Sequence, residues 1–408
     1  MKKIEKFFLA FEAFVISFNL TNAQDTWTQK ANFPGPERDF AFSFTIGNNG
    51  YFGGGIFDTS IKSIARKDFW KYNTDSNSWT QLSNLPGDST IGSVGLTIGN
   101  KGWVFTGFYG HSVYEFDPSK YKWTQQPNFP GKGRSNASGF SIGSKAYIGL
   151  GMGLGNRFFN DFWEYDTSSE SWTRLADFPG KPRGFAIAFS IGNKAYVGTG
   201  WDSGGESLRD FWEYNPASNK WTLKDSVGIM GRIGGIGFSM YGHGFIGLGE
   251  NIVSSSYTQL NDLWRYDTSL NLWGQQNYYP GLPCVDSHTF QIGNQEFIVG
   301  GICAGYNPEK YSNEVWELYN HTSGIPEPTN PINFSIYPNP NTGHFILNSS
   351  YPIQSYEILD MNGKEIYRKY RDSGNGTVNI YLSLANGIYL IRVVSEQGTS
   401  VKKLIVNN

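Results

Sequence analysis

The chain has 408 residues, of which 16% are aromatic and 50 are glycine, but only 17% are charged, and its formal net charge is −2. That balance favours Trp- and Tyr-rich strands joined by tight turns. With no basic tract, it excludes a nucleic-acid binder or an anionic-membrane binder that works by charge. Two cysteines, Cys284 and Cys303, are too few for a disulfide framework.

The N-terminus has the order of a secretory signal peptide. Lys2, Lys3 and Lys6 precede an apolar run from Phe7 to Phe18, and the small-residue stretch "TNA" ends at Ala23. The run is short for a bilayer and contains Glu12, which argues against a permanent anchor. Residues 1–23 are expected to be removed. The mature protein then starts near Gln24 and is secreted or held at the outer cell surface, with no integral membrane segment.

A repeat follows. Its anchor is the Trp of "WT" or its equivalent: Trp27, Trp79, Trp123, Trp172, Trp221 and Trp273, spaced by 52, 44, 49, 49 and 52 residues. Repeats of this length imply a propeller or a solenoid, and period-2 alternation with turn pairs selects strands. One unit reads as four strands. "RGFAIAFSI" from Arg183 is strand a, Gly192-Asn193 the hairpin turn, "KAYVGTG" strand b, "DFWEYN" from Asp210 strand c and "KWTLKD" strand d. Strand a is rich in Gly, Ala and Ser, as strands converging on an axis require. The sixth unit stops after strand c, at "NEVWELYN", while "DTWTQKANFPG" at the start of the mature chain is a d strand with no unit before it. The expected fold is therefore all-β: a six-bladed propeller over residues 24–323, with the N-terminal strand completing the last blade.

These units resemble kelch repeats. The features that carry the resemblance are the Gly ending strand b (Gly55, Gly107, Gly151, Gly200, Gly249, Gly301), the paired aromatics of strand c such as Trp212 and Tyr214, the Trp of strand d and the Arg opening strand a. The double Gly is often relaxed to "GLG" or "GTG". Kelch propellers serve many functions, so the resemblance implies a fold rather than an activity.

"GIPEPTNP" marks a Pro-rich linker over residues 324–332. Residues 333–408 read as a small antiparallel β-sandwich with hairpins, one of them on Asn362-Gly363. "YPNP" with Gly343, "LDMNGKEI", "NGIYLIRV" and "KKLIVN" resemble the type A C-terminal sorting domain of the bacterial type IX secretion system. The resemblance implies that the partner of residues 333–408 is that secretion machinery, in a Bacteroidetes-type bacterium.

Function is expected on one face. The a–b and c–d turns have fixed lengths, whereas the b–c loops vary from four residues after Gly107 to twelve after Gly55. Variable loops on a rigid scaffold are where binding is usually found. The slot that opens strand a holds Arg38, Thr90, Arg134, Arg183, Arg232 and Cys284; the slot that opens strand c holds Asp68, Ser112, Asp161, Asp210, Asp262 and Glu314. Two readings stay open for the four arginines. They line a pocket for a ligand carboxylate, or each is bridged to the Asp of its own blade.

Trp201 and Tyr109, with Phe57, Phe158 and Tyr257, are candidate ligand contacts in the variable loops. Cys284 and Cys303 sum to the same register as the turn flanks Ile292 and Gln295. They are expected to face each other as a disulfide, at a hydrogen-bonded pair with Cα atoms about 5.5 Å apart. The five histidines lack metal-ligand spacing, and no catalytic residue, metal or cofactor is assigned. The reading is an exported binding protein whose loop face meets an extracellular glycan or protein. The alternative is a carbohydrate-active kelch enzyme such as a sugar-acid (sialic acid-like) mutarotase or epimerase, which needs arginines free of Asp partners.

Overall fold

The computed structural model describes residues 26–58, 63–87, 90–254, 256–303, 310–319, 333–359, 365–370, 376–395 and 398–407. The expected signal peptide, linker and Asn362-Gly363 turn lie outside them. The described residues are all-β, with no helix. Up to Tyr319 they form six four-stranded antiparallel sheets and, above these, short ribbons.

The unit that begins at Arg183 illustrates the pattern. Ile187–Ile191, Lys194–Gly198, Phe211–Asn215 and Lys220–Lys224 pair in that order. Gly192 takes φ +58 to +60 territory, at φ 60, in the two-residue turn between the first two strands, which glycine adopts at little cost. The expected strand a is not continuous. Arg183–Gly184 leaves the sheet and pairs with Trp201–Asp202 in a separate ribbon. The break falls at Phe185 (φ 58) opposite Thr199 (φ 62) and Gly200 (φ 93). Both sides of the hairpin turn together, so the register is retained while the strand direction changes.

The innermost strands pack side by side in the order Phe42–Ile46, Val94–Ile98, Ser138–Ile142, Ile187–Ile191, Ile236–Met240 and His288–Ile292, and the last also packs against the first. Close approach is possible because the neighbouring second strands carry small residues. A Cβ at Gly50 would lie 2.2 Å from the Phe290 ring, and one at Gly102 would lie 2.1 Å from Phe44. At Gly50, Gly102 and Gly244 a large ring of one sheet thus fills the space left by a glycine of the next, and the cores form between sheets. One core joins Tyr72 and Trp79 to Phe290, Phe297 and Val299.

The repeated Trp has a specific duty. The indole N–H of Trp79, Trp172, Trp221 and Trp273 donates to the carbonyl of Ala31, Pro127, Ala176 and Asp225, in the loop leaving the preceding sheet. An Asn in the c–d turn adds a second tie. Asn77, Asn219 and Asn271 each accept from the Tyr hydroxyl of their own sheet and from a backbone N–H of the preceding loop. These residues sit at φ 46 to 54, a region Asn tolerates better than most side chains. The constant spacing from strand c to strand d follows from this geometry.

Thr26–Gln29 pairs with Val315–Tyr319, Thr26 opposite Tyr319 and Gln29 opposite Trp316. Trp27 packs edge-on against Tyr279 of the neighbouring sheet at 5.4 Å, and Phe33 is buried against Phe52, Trp70 and Trp79. Residues from Phe334 onward form a three-stranded and a four-stranded antiparallel sheet around Phe345, Leu347, Ile358, Ile391, Val393 and Leu404.

Deleting Thr26–Phe33 strips the outer strand from Val315–Tyr319 and empties the Phe33 site. Burial of one Phe alone is worth about 3–5 kcal/mol, and a bare edge invites association. The expected outcome is a sharply lowered melting temperature with aggregation, read by calorimetry and light scattering. Unchanged melting would overturn this role for the strand.

Candidate ligand site at the axial mouth

The four arginines are almost wholly buried, at 0–1% exposure. Each meets its Asp through two parallel hydrogen bonds. Arg134 Nη1 and Nη2 reach Asp161 Oδ1 and Oδ2 at 2.8 and 2.9 Å, and Arg183, Arg232 and Arg38 repeat this with Asp210, Asp262 and Asp68. Nη1 also donates to the carbonyl of Gly54, Leu150, Thr199 or Leu248. The carboxylate accepts a third bond from the indole of Trp70, Trp163, Trp212 or Trp264. Burial alone would raise these carboxyls. The arginine hydrogen bonds and charge outweigh it and hold Asp68, Asp161 and Asp210 below the ordinary range.

Of the two readings open for Arg38, Arg134, Arg183 and Arg232, this geometry is that of the bridge: their forks are filled by Asp and backbone. In these four sheets the set ties the first segment to the third strand. In the last sheet Glu314 still accepts from Trp316, but Cys284 stands in the Arg slot. Cys284 lies opposite Cys303, as the register requires, and is bonded to it. Their Cα atoms are 4.1 Å apart rather than the expected 5.5 Å. Asp286, Gly300 and Gly301, at φ 55, 73 and 103, break the ladder between the turn and the cysteines without changing the register.

Two residues beyond the Arg slot, the chain reaches the axis. The six positions are Phe40, Gly92, Asn136, Phe185, Gly234 and Asp286, all with φ between 49 and 65. This strained conformation is supported by neighbours. The N–H of Gly92, Asn136, Phe185 and Asp286 donates to the carbonyl of the residue one sheet back: Phe40, Gly92, Asn136 and Gly234. The six residues frame the mouth of an axial cavity of about 150 Å³. It continues through spaces of about 300 and 430 Å³ lined by Gly, Ala, Ser and Thr of the inner strands together with larger residues such as Leu96, Phe44 and Glu296.

The mouth has two kinds of wall. Phe40 and Phe185, from sheets three places apart in the order, approach to 5.9 Å between ring centres. Asn136 Oδ1 occupies the space a side chain at Gly92 would need, and Asp286 Oδ1 that at Gly234. Burial, with the nearby Asp39 and Glu250, raises the Asp286 carboxyl well above the usual range. His288 lines the same cavity. Its Nε2 accepts the Ala41 N–H at 3.1 Å, and burial with the Arg38 charge lowers its pKa to about 4, so it is neutral at physiological pH. The arrangement offers aromatic faces, an amide and a carboxyl. Among the described residues no three potential metal ligands cluster.

Trp201 is half-buried beside this mouth, edge-on to Phe158 at 5.6 Å and to Phe185 at 6.3 Å. Tyr109 lies apart, against Phe108 at 5.8 Å. Asp202, next to Trp201, is held by Lys181 at 2.7 Å. Asp286, Asn136, Phe40 and Phe185 escaped the sequence reading. The signal that could have found them is the column two residues after the Arg slot.

A second column contains one exception. The second residue of strand b is Gly50, Gly102, Ala146, Ala195 and Gly244 in five sheets, and Glu296 in the sixth. Glu296 is fully buried, and neither carboxyl oxygen has a well-formed hydrogen bond. Burial raises its pKa to about 8, and the Thr289 hydroxyl offsets only part of that.

Two predictions follow from these columns. Replacing Arg134 with Thr should cost about 3 kcal/mol in urea unfolding, because it leaves Asp161 buried without its cation. The double change Arg134→Thr with Asp161→Ser, which copies Thr90 and Ser112, should cost less than the single one; an equal or larger loss would refute the lock. For Glu296, the folded chain keeps a proton between about pH 4.5 and pH 8, where the unfolded chain has lost it. Stability therefore falls as pH rises through that window and levels off above it. Glu296→Ala should remove this slope and raise stability at pH 8 by about 2–4 kcal/mol. A pH–stability curve with the same slope in the variant would exclude Glu296 as its source.

The KLHDC2/KLHL20/DRC7 Kelch-repeats domain matches residues 43–252, about half of the chain. The Secretion system C-terminal sorting domain matches residues 335–407. Among solved structures, one titled "Structure of YjhT" aligns with a TM-score of 0.59 and 16% identity, over 70% of this chain and 96% of that one. At this identity the likeness concerns the fold alone. No curated protein matches. The repeats, their Trp and Gly columns and the tail thus place the chain in the kelch-repeat family, as a member with a type IX secretion C-terminal sorting domain.

Proposed function

We propose that this is an exported binding protein. Its residues 24–323 form a six-bladed propeller closed by the N-terminal strand, joined through residues 324–332 to a sorting domain over residues 333–408, after removal of a signal peptide over residues 1–23. The pairing of Thr26–Gln29 with Val315–Tyr319 and the packing of the last inner strand on the first support closure. The ligand is an extracellular glycan or protein, met by the face that carries the axial mouth.

One observation carries this reading: the distribution of exposed apolar side chains. Phe108, Leu154, Ile229, Val253, Tyr257 and Tyr278 are each more than half exposed. All six lie in b–c or d–a loops, on the side of the mouth. The turns at the opposite end contribute Tyr121, and the outer strand Lys220–Lys224 contributes Leu223. Apolar groups collected on one rim mark an interaction surface. The enzymatic alternative needed arginines free to hold a sugar acid, and these four are engaged by Asp.

The test is a glycan array and a surface-protein binding screen with the purified full chain. A ligand found there should lose roughly tenfold or more in affinity with Phe185→Ala or Tyr257→Ala and nothing with Tyr121→Ala. A ligand sensitive to Tyr121→Ala alone would move the binding face to the other end.

A further inference from the structure

The third and fourth sheets provide an internal comparison. Lys181 stands two residues before Arg183, and its ammonium is paired with Asp202 at 2.7 Å. Lys132 stands two residues before Arg134. The position equivalent to Asp202, two residues beyond the Gly that ends strand b, is Gly153. A Cβ at Gly153 would lie 2.8 Å from the Phe159 ring, so Phe159 fills the place of the missing side chain. Lys132 therefore keeps its charge without its anion. It has no ion-pair partner among the described residues, and neither has Arg157, which lies over Phe159 at 5.9 Å.

Both cations open on a cleft of about 790 Å³. The cleft lies beside the shortest b–c loop, that of the second sheet, with four residues between Gly107 and Ser112. His111 and the Arg157 loop form its sides, and Trp163 and Asp161 belong to its floor. Asp161 does not oppose an anion there, since Arg134 and the Trp163 indole already take its oxygens. Arg174 adds a third cation, shared with Asp177 at 2.9 Å and placed 5.9 Å over the Trp163 ring. In a chain of net charge −2 this is a local excess of positive charge over an aromatic surface.

We propose that this cleft is a second ligand site, which takes the carboxylate of an acidic saccharide between Lys132 and Arg157. The incoming carboxylate approaches from the cleft, since Phe159 holds the place of Asp202, and supplies Lys132 with the charge that Asp202 supplies to Lys181. Ammonium and guanidinium both form strong charge-assisted bonds to carboxylate, and the aromatic side chains of Trp163 and Phe158, which line the cleft, receive the apolar side of a sugar. The volume is that of a small-molecule site, which favours a short saccharide over an extended acidic peptide. The site is separate from the axial mouth, so it stands or falls independently of the function proposed above.

Isothermal titration of the full chain with trigalacturonate, maltotriose and triglutamate tests it. Trigalacturonate should bind saturably, more weakly as salt rises, and maltotriose should not bind. Lys132→Ala and Arg157→Ala should each weaken binding by roughly tenfold or more with no change in melting temperature, because both side chains are exposed. Lys181→Ala should leave binding as it is. No saturable binding below about 10 mM, or binding indifferent to Lys132 and Arg157, would overturn the site. Triglutamate bound as tightly as trigalacturonate would overturn its assignment to a saccharide.

Discussion

The inner strands of six sheets converge on one line, and little room is left there. This constraint governs the composition of the protein. Side chains near the line are mostly Gly, Ala, Ser and Thr, below a mouth that holds Phe40, Asn136, Phe185 and Asp286, and adjacent sheets exchange backbone hydrogen bonds at Gly92, Asn136, Phe185 and Asp286. Bulk is displaced outward into the spaces between sheets, where Phe44 and Phe290 press on Gly102 and Gly50. Aromatic pairs at 5–6 Å then supply the cohesion that a single central core supplies in other folds.

The same convergence explains why a buried charge is repeated. A chain that leaves the axis must turn sharply, and carbonyls such as Leu150 and Thr199 are left without a ladder partner. The Arg fork answers these carbonyls and the Asp of the third strand together. A buried ion pair is not in itself a strong source of stability. Here its value lies in satisfying backbone groups at a fixed place in each sheet. Where Arg is absent, the other partner changes too: Thr90 comes with Ser112, and Cys284 is bonded to Cys303.

Departures from the repeat are where chemistry collects. Asp286 and Asn136 occupy a column otherwise Phe or Gly, Glu296 one otherwise Gly or Ala, and Gly153 a place held in the next sheet by Asp202. Each departure leaves a polar group without its usual surroundings: Asp286 beside Asp39 and Glu250, Glu296 buried without a cation, Lys132 without a carboxylate. The repeat thus serves as its own control, in which a position is unusual relative to five others in the same chain.

Much of this protein was determined by sequence alone. Strand pairing, the unit length, the place of Trp27, the Arg–Asp slots and the facing cysteines all follow from local turn geometry and from a period that repeats six times. Hairpin register depends only on the turn, which is why the Cys284–Cys303 pairing could be counted. Other features depended on the tertiary structure. The break at Phe185, the 4.1 Å spacing of the cysteines, the approach of Phe40 to Phe185 and the exposure of Lys132 each arise where residues distant in the chain compete for one space. No local pattern encodes that competition: Phe159 displaces a side chain at Gly153, and Phe40 meets a ring 145 positions along the sequence, because the axis brings them together.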